Sequence, residues 1–332
     1  MQSKQKRNTR NTNGLRAILS FILCAFAIIA VLSGCSKSAE QKQAERKAEE
    51  ARQRATEQSA FKIAVTPTLD CLPLFLMADS GLCDTSKIDL RLKQFDAHDD
   101  IDTAIVGGSV QAAATELVRA IDLSRSHHLR LRPVAVTPLQ WTLVGSKANK
   151  ILKLSDLGNH MIAMTRYSAT DWLTSLTKKR AKTDFIIFSA QINSVKTRLK
   201  MMEDSAMDAA WLPEPQATQA LNRGNVVLVK SDKEDRHFGV IVYVEPGDET
   251  ADKREAELRE FTNAYNRAVD LINKNGLMHY AALIQKYTGA DNKTIAKLPA
   301  IKYTHAEGPS RADMLAAEKI RFQKHTSKVK IQ

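Results

Sequence analysis

The 332-residue sequence has no H-E-x-x-H, no C-x-x-C and no G-x-S-x-G. Three motif patterns whose spacing itself carries chemistry are thereby excluded. Cysteine is scarce, at four residues, and there are eight histidines. The pair His127-His128 lies in a polar, basic connection with Arg125 and Arg130 and reads as a solvated turn rather than a metal site. His237 stands alone and reads as surface. Gly107-Gly108-Ser109 lacks the spacing of a phosphate loop and reads as a helix-to-strand turn. No aromatic-interleaved basic patch accompanies the formal charge of +12, so nucleic-acid binding is not indicated. Catalytic residues, metal ligands and cofactors are therefore not expected.

What is present begins at the amino terminus. Lys4, Lys6, Arg7, Arg10 and Arg16 precede a run from Ala17 to Ser36 without a charge. This is a positive n-region followed by an apolar h-region, and at about 20 residues it is also long enough to span a bilayer. Leu32-Ser33-Gly34-Cys35 at its end resembles the bacterial lipobox, which implies cleavage after Gly34 and diacylation and palmitoylation of Cys35. Residues 1–34 would be a lipoprotein signal peptide, and their loss removes five cations and no acids, lowering +12 to +7. The mature chain is then expected to be extracytoplasmic, in the periplasm or at the cell surface, held to a membrane by its N-terminal lipid. Residues 35–60 hold no large apolar side chain and read as a charged tether, helical or coiled. Cys71 and Cys83 remain outside the reducing cytoplasm, where a disulfide is permitted. A helix from Leu72 to Ser80 closed by Gly81 would keep them roughly 12–15 Å apart, beyond bridging distance, so two free, buried thiols are expected.

From Phe61 onward, short β-rich apolar runs alternate with helical stretches. The runs are Phe61 to Thr66, Ile88 to Gln94, Pro133 to Thr137, Trp141 to Gly145, Met161 to Met164, Phe185 to Phe188, Met207 to Trp211, Val226 to Val229 and Gly239 to Val244. Thr170 to Lys179 and Ser194 to Glu203 are of helical length. The alternation predicts an α/β fold with largely parallel sheets. After Gly247 the pattern becomes helical throughout, predicting helices over Asp252 to Lys274, Leu277 to Tyr287, Lys293 to Leu298 and Ser310 to Phe322. A weak repeat joins the segment from Thr103 to Thr115 with that from Leu199 to Trp211, each a helix, a small turn and a short strand ending in Ala-Ala. Two similar lobes are suggested.

Several segments together carry a family resemblance. Leu199 to Pro215, ending Met207-Asp208-Ala209-Ala210-Trp211-Leu212-Pro213-Glu214-Pro215, resembles the A-L-x-x-G-x-V-D-A-A-x-x-x-E-P signature of solute-binding lipoproteins of nitrate, sulfonate and thiamine-precursor ABC importers. Ile63-Ala64-Val65 with the segment from Pro73 to Ala78 resembles the opening strand and helix. Gly81-Leu82-Cys83 and Ile88 to Leu92 are similar to the step that follows, and Leu154 to Ala163 and Arg223 to Leu228 fall in the expected order. Gln111 stands where the family has an acid, and Ser205 where it has a turn glycine. The cysteine-rich motif of related pyrimidine synthases is missing. The resemblance implies a periplasmic-binding-protein type 2 fold: lobe 1 from residues 61–138 plus 238–332, and lobe 2 from residues 139–237. The crossings would lie near Thr137 to Trp141 and Val229 to Gly239. It also implies a non-enzymatic monomer that gives a small, anionic or polar solute to an ABC permease. An enzyme on the same fold, or a stand-alone sensor, is the alternative.

In open α/β sheets, ligands lie beyond the carboxyl ends of strands, at helix starts. That rule selects Thr66, Thr68 and Asp70 after the first strand, Thr115 with Glu116 after the first repeat, and Trp141 at a crossing. From lobe 2 it selects Arg166, Tyr167, Ser168 and Thr170, with Trp211 and Glu214. The helix expected to begin near Ser168 offers free backbone N–H groups to an anion, with Arg166 as a possible fork. Glu214, at a helix start between two prolines, can alternatively favour the helix dipole.

Overall fold

The computed structural model describes residues 39–231, 238–247 and 250–320. The expected signal peptide, Cys35 and His237 lie outside the described residues. The chain divides into two compact units, residues 1–59 and 60–332. In the first, helix α1 (Ala39–Ser59) is rich in Ala, Glu, Gln, Lys and Arg, the residues that lose least on entering a helix, and has no apolar stripe. No helix among the described residues is long and apolar enough to cross a membrane.

The second unit is built on two five-stranded sheets. The strands are β1 (Phe61–Val65), β2 (Leu90–Gln94), β3 (Ala112–Glu116), β4 (Leu131–Thr137), β5 (Thr142–Gly145), β6 (Met161–Met164), β7 (Phe188–Gln191), β8 (Ala209–Leu212), β9 (Val226–Lys230) and β10 (Gly239–Val244). One sheet has the order β2-β1-β3-β10-β4 and the other β7-β6-β8-β5-β9. In each, the first three strands are parallel, and the fourth is the antiparallel strand that arrives from the other sheet. This two-lobed α/β arrangement is the type 2 periplasmic-binding-protein topology. The crossings touch, because Trp141 N–H donates to Ser231 Oγ and Ser231 N–H donates to Trp141 O, both at 2.8 Å.

Helices fill the spaces between strands: α2 (Leu72–Asp79), α3 (His98–Val106), α4 (Leu117–His127), α5 (Ala169–Arg180), α6 (Val195–Glu203) and α7 (Gln216–Asn222). The tail continues as α8 (Ala251–Asn275), α9 (Ala281–Thr288), α10 (Asn292–Ile295) and α11 (Arg311–Lys319). Helix α8 buries Leu258, Phe261, Tyr265, Ala268 and Ile272 at three- and four-residue spacing, the stripe that seats a helix on a core. Phe261 stacks on Phe61 at 5.8 Å between centroids. Truncating it to alanine should cost roughly 3–5 kcal/mol. Cys71 and Cys83 are free and buried, either side of α2.

The repeat is structural. After α3, Gly108 takes φ +65°, and after α6, Ser205 takes φ +56°, so a serine holds the left-handed turn that favours glycine. Gln111 Oε1 then accepts the N–H of Lys62 in β1, and Asp208 Oδ2 accepts the N–H of Met161 in β6, each at 2.9 Å. The matching positions, Gly108 with Ser205 and Gln111 with Asp208, each differ by 97 in number.

One expected strand requires correction. The apolar run from Phe185 to Phe188 reads as a strand, but β7 begins at Phe188, and only Ile187 of the run is buried. β7 is an edge strand, which has a core on fewer sides than the apolar count suggests.

Candidate functional site

The carboxyl ends of the parallel strands of both sheets meet at the boundary between the lobes, and there the local sequence aims polar groups inward. After β6, Tyr167 takes φ +56°, turning the chain so that Ser168 caps α5. Its Oγ accepts from Thr170 N–H at 3.1 Å and Asp171 N–H at 3.4 Å. The cap satisfies two of the free donors of the helix start. A third donor is met from the other lobe: Ala169 N–H donates to Glu116 Oε2 at 3.0 Å. The anion position expected at this helix start thus holds a carboxylate of the protein itself. Burial pushes the Glu116 carboxyl up to about 7, against the opposing influence of Arg119, the Ala169 N–H and Arg198. Its other oxygen, Oε1, is buried without a hydrogen-bond partner.

Two arginines flank this carboxylate. Arg119 on α4 pairs with Asp99 and Asp102 on α3 and donates to Arg166 O at 3.3 Å in the opposite lobe. Burial pushes Asp102 up to about 6 although Arg119 pulls it down. Arg198 on α6 is fully buried. It donates to Ile192 O at 2.7 Å, to Trp211 O at 2.9 Å and to Thr165 Oγ1. All three acceptors are neutral. Burial pulls the guanidinium down to about 10, opposed by Glu116 and Asp99. Its carbon lies 5.7 Å from the Trp141 ring centroid, and His98 meets the same ring edge-on at 6.3 Å. Burial, with Arg119 and Arg198 nearby, holds His98 down to about 3.

The lobes are clasped at two places. On one side Asn193 Nδ2 donates to Asp99, and Lys196 pairs with Asp96 at 2.7 Å. On the other, Leu69 N–H donates to Glu214 O and Gln216 Nε2 to Pro67 O, both at 2.8 Å. Two cavities open along the boundary. The first, of about 680 Å³, is lined by Asp99, Asp102, Arg119, Arg166, Tyr167 and Gln191 among others. The second, of about 250 Å³, includes Asp70, Gln140, Thr142, Glu214, Lys230 and Lys302 in its lining.

The residues selected from the sequence are therefore distributed rather than gathered at one point. Arg166, exposed, and Tyr167 reach the first cavity. Asp70 and Glu214 reach the second. Thr66, Thr68 and Asp70 are buried and bond one another, Thr66 Oγ1 with Thr68 Oγ1 at 2.7 Å and Thr68 Oγ1 with Asp70 Oδ1 at 2.6 Å. Burial raises the Asp70 carboxyl, with Thr68 and Thr137 opposing. Ser168 and Thr170 bond each other at 2.8 Å. Trp211 is a core side chain whose Nε1 donates to Thr174 Oγ1 at 2.9 Å. Glu214 Oε2 accepts Thr218 N–H at 3.1 Å, at the start of α7. Thr115 Oγ1 and Trp141 Nε1 are buried without a hydrogen-bond partner.

Sequence reasoning missed Arg198, Arg119, His98 and Asn193. Arg198 was open to detection. It stands at helical spacing between the apolar residues Val195 and Met202, all three buried on one face of α6, and a cation in a core stripe calls for a partner. No group of metal-ligating side chains occurs among the described residues.

No family model matches the sequence, and no curated protein does. Solved structures match in fold. The ligand-binding component of an ABC-type import system from Staphylococcus aureus, solved with zinc bound, is 16% identical with a TM-score of 0.59, over 72% of this chain and 82% of that one. The periplasmic aliphatic sulphonate binding protein SsuA from Escherichia coli is 18% identical with a TM-score of 0.60, over 77% and 88%. The periplasmic nitrate-binding protein NrtA from Synechocystis is 11% identical with a TM-score of 0.60, over 71% and 68%. At these identities the likeness establishes the periplasmic-binding-protein fold, and function rests on the site.

Proposed function

We propose that this chain is an extracytoplasmic solute-binding lipoprotein that captures a small anion between its lobes and delivers it to an ABC permease. Lobe 1 is assigned residues 61–138 plus 238–332 and lobe 2 residues 139–237, rotating about the paired crossings at Trp141 and Ser231. The observation that carries the anionic solute is Arg198, a fully buried cation whose hydrogen bonds all go to neutral oxygens. A buried charge of this kind is stabilised by an opposite one. Glu116 supplies one at the neighbouring helix start, and a solute carboxylate, sulfonate or nitrate is assigned the same place. The solute displaces Glu116, accepts from Ala169 N–H and the Ser168 turn, and takes Arg166 from the cavity side. That a sulphonate-binding and a nitrate-binding protein share this fold supports the class. The lipobox-like Leu32-Ser33-Gly34-Cys35 supports the membrane tether.

A ligand touching both lobes favours closure by its differential affinity. Alkanesulfonates, nitrate and short carboxylates should therefore be screened by thermal shift, with small-angle scattering on each hit. A hit that raises Tm and holds the radius of gyration at its compact value supports the reading. Binding confined to cations, or tight anion binding indifferent to Glu116→Gln, would count against it.

A further inference from the structure

The end of lobe 2 farthest from the cleft carries a surface that solute binding does not use. Strands β6, β7 and β8 are parallel and deliver their carboxyl ends to the cleft, so their amino ends stand at the opposite pole. There Phe185 and Ile186 are 63% and 67% exposed, more than any other large apolar side chain among the described residues. Phe188 and Met161 are register partners in β7 and β6, and both are exposed. The segment is fixed in place: Asn159 N–H donates to Ile186 O at 2.7 Å and Phe188 N–H to His160 O at 2.9 Å. Exposure of these side chains is therefore built into the sheet edge.

Cations surround this apolar tip. Helix α5 runs away from the cleft and ends there in Lys178-Lys179-Arg180, followed by Lys182. The loop after β5 adds Lys147, Lys150 and Lys153, together with exposed Leu152. That loop is tied to the same pole, because Asn149 Nδ2 donates to Asp208 Oδ1 at 3.1 Å while Asp208 Oδ2 holds the amino end of β6. The six lysines are exposed, and none is in an ion pair among the described residues. Asp184 is the only acid between Trp172 and Met202. Asp156, in the neighbouring loop, is engaged by the N–H groups of Leu152 and Lys153.

We propose that this pole of lobe 2 rests on an anionic lipid bilayer, with Phe185, Ile186 and Phe188 entering the headgroup boundary and the lysines facing lipid phosphates. Aromatic and aliphatic side chains ringed by lysine stems match the two halves of a lipid interface, apolar beneath and negatively charged above. The tip lies outside the cavities of the cleft, so a buried peptide is a poorer fit than a planar surface. The inference stands independently of the solute-binding reading.

The test uses the full chain carrying Ile186→Trp, added to vesicles whose acyl chains are brominated to quench tryptophan. The vesicles are phosphatidylcholine alone or with about one third phosphatidylglycerol. Quenching of the new tryptophan in the anionic vesicles only is expected. It should be lost at about 0.5 M salt and in the added triple variant Lys178→Glu, Lys179→Glu, Lys182→Glu. These lysines are exposed, and an unchanged Tm in the triple variant establishes that it folds. Equal quenching in both lipids, no quenching, or a tryptophan signal that changes with protein density in either lipid overturns the proposal. The last outcome assigns the tip to a second copy of the chain.

Discussion

Glu116 in one lobe and Ala169 in the other are joined by a 3.0 Å hydrogen bond in which the carboxylate Oε2 accepts the first free N–H of α5. A single bond thereby couples the carboxyl end of β3 to the helix that the sequence marks as an anion site. Glu116 is buried beside Arg119 and Arg198, and its carboxyl is raised to about 7 by burial. The contact is thus both a lobe-to-lobe link and a titrating one.

The pH dependence has a definite sign. For an acid raised in the folded state, the native form holds its proton where the unfolded form has lost it, so stability falls as pH rises between the two values. For Glu116 the window runs from the ordinary 4.5 of a glutamate to about 7. Asp102, raised to about 6, and the raised Asp70 and Glu214 act in the same direction. Below its ordinary 6.5, His98, held down to about 3, acts in the opposite direction, so the Glu116 contribution is read by difference: across this window the Tm of Glu116→Gln should fall less, or rise more, with pH than that of the wild-type chain. A scan of Tm against pH with the same slope in both proteins would place the titration elsewhere.

The crossing of the lobes has little room at Gly239. A Cβ there would lie 2.1 Å from Thr137 Oγ1 and 2.5 Å from Leu139 Cβ, both in the other crossing segment. Gly239→Ala should destabilise the protein by about 1–3 kcal/mol through overpacking. It should also displace the crossing, enlarging the radius of gyration. Gly247→Ala, where no atom lies within 4 Å of the added carbon, is the control and should leave both measurements unchanged.

The tether is tested at Cys35. The thioether-linked lipid requires the cysteine sulfur, so Cys35→Ser should abolish acyl-chain labelling and leave the precursor uncleaved. Immunoblotting and radiolabelled palmitate read both outcomes, and normal processing of this variant would sink the lipobox assignment.

Much of the fold was legible because alternating buried strands and amphipathic helices leave a periodic trace. Met161 to Met164 and Gly239 to Val244 agree with β6 and β10 at both ends. The repeat was legible as a helix, a turn and an alanine-rich strand, but not in the hydrogen bonds that anchor it. The residues that fix the register are Gln111 and Asp208, each accepting the N–H of a neighbouring strand. The edge strand β7 failed because apolar count does not distinguish a core from an exposed tip. The cleft was legible from one lobe at a time. Asn193 reaches Asp99, and Arg119 reaches Arg166 O, only once the lobes meet, and no local pattern encodes contacts between residues 94 and 47 apart.

The two arginines of the site separate architecture from binding. Arg198 is buried and makes three hydrogen bonds within lobe 2, two of them to backbone carbonyls. Removing it leaves those oxygens unsatisfied, so Arg198→Ala should lower stability by about 3 kcal/mol or more. Arg166 is exposed at the mouth of the first cavity. Its backbone oxygen, rather than its guanidinium, accepts from Arg119, and a side-chain truncation leaves that bond in place. A charge-assisted bond from Arg166 to a solute anion contributes about 1.5–3 kcal/mol of affinity, or on the order of tenfold or more in Kd. Arg166→Ala should therefore weaken anion binding by that factor in calorimetry while hardly moving the Tm of the protein alone. Unchanged affinity in Arg166→Ala, for a ligand whose binding depends on Glu116, would move the anion inward to Arg198 and leave Arg166 as a solvated loop residue.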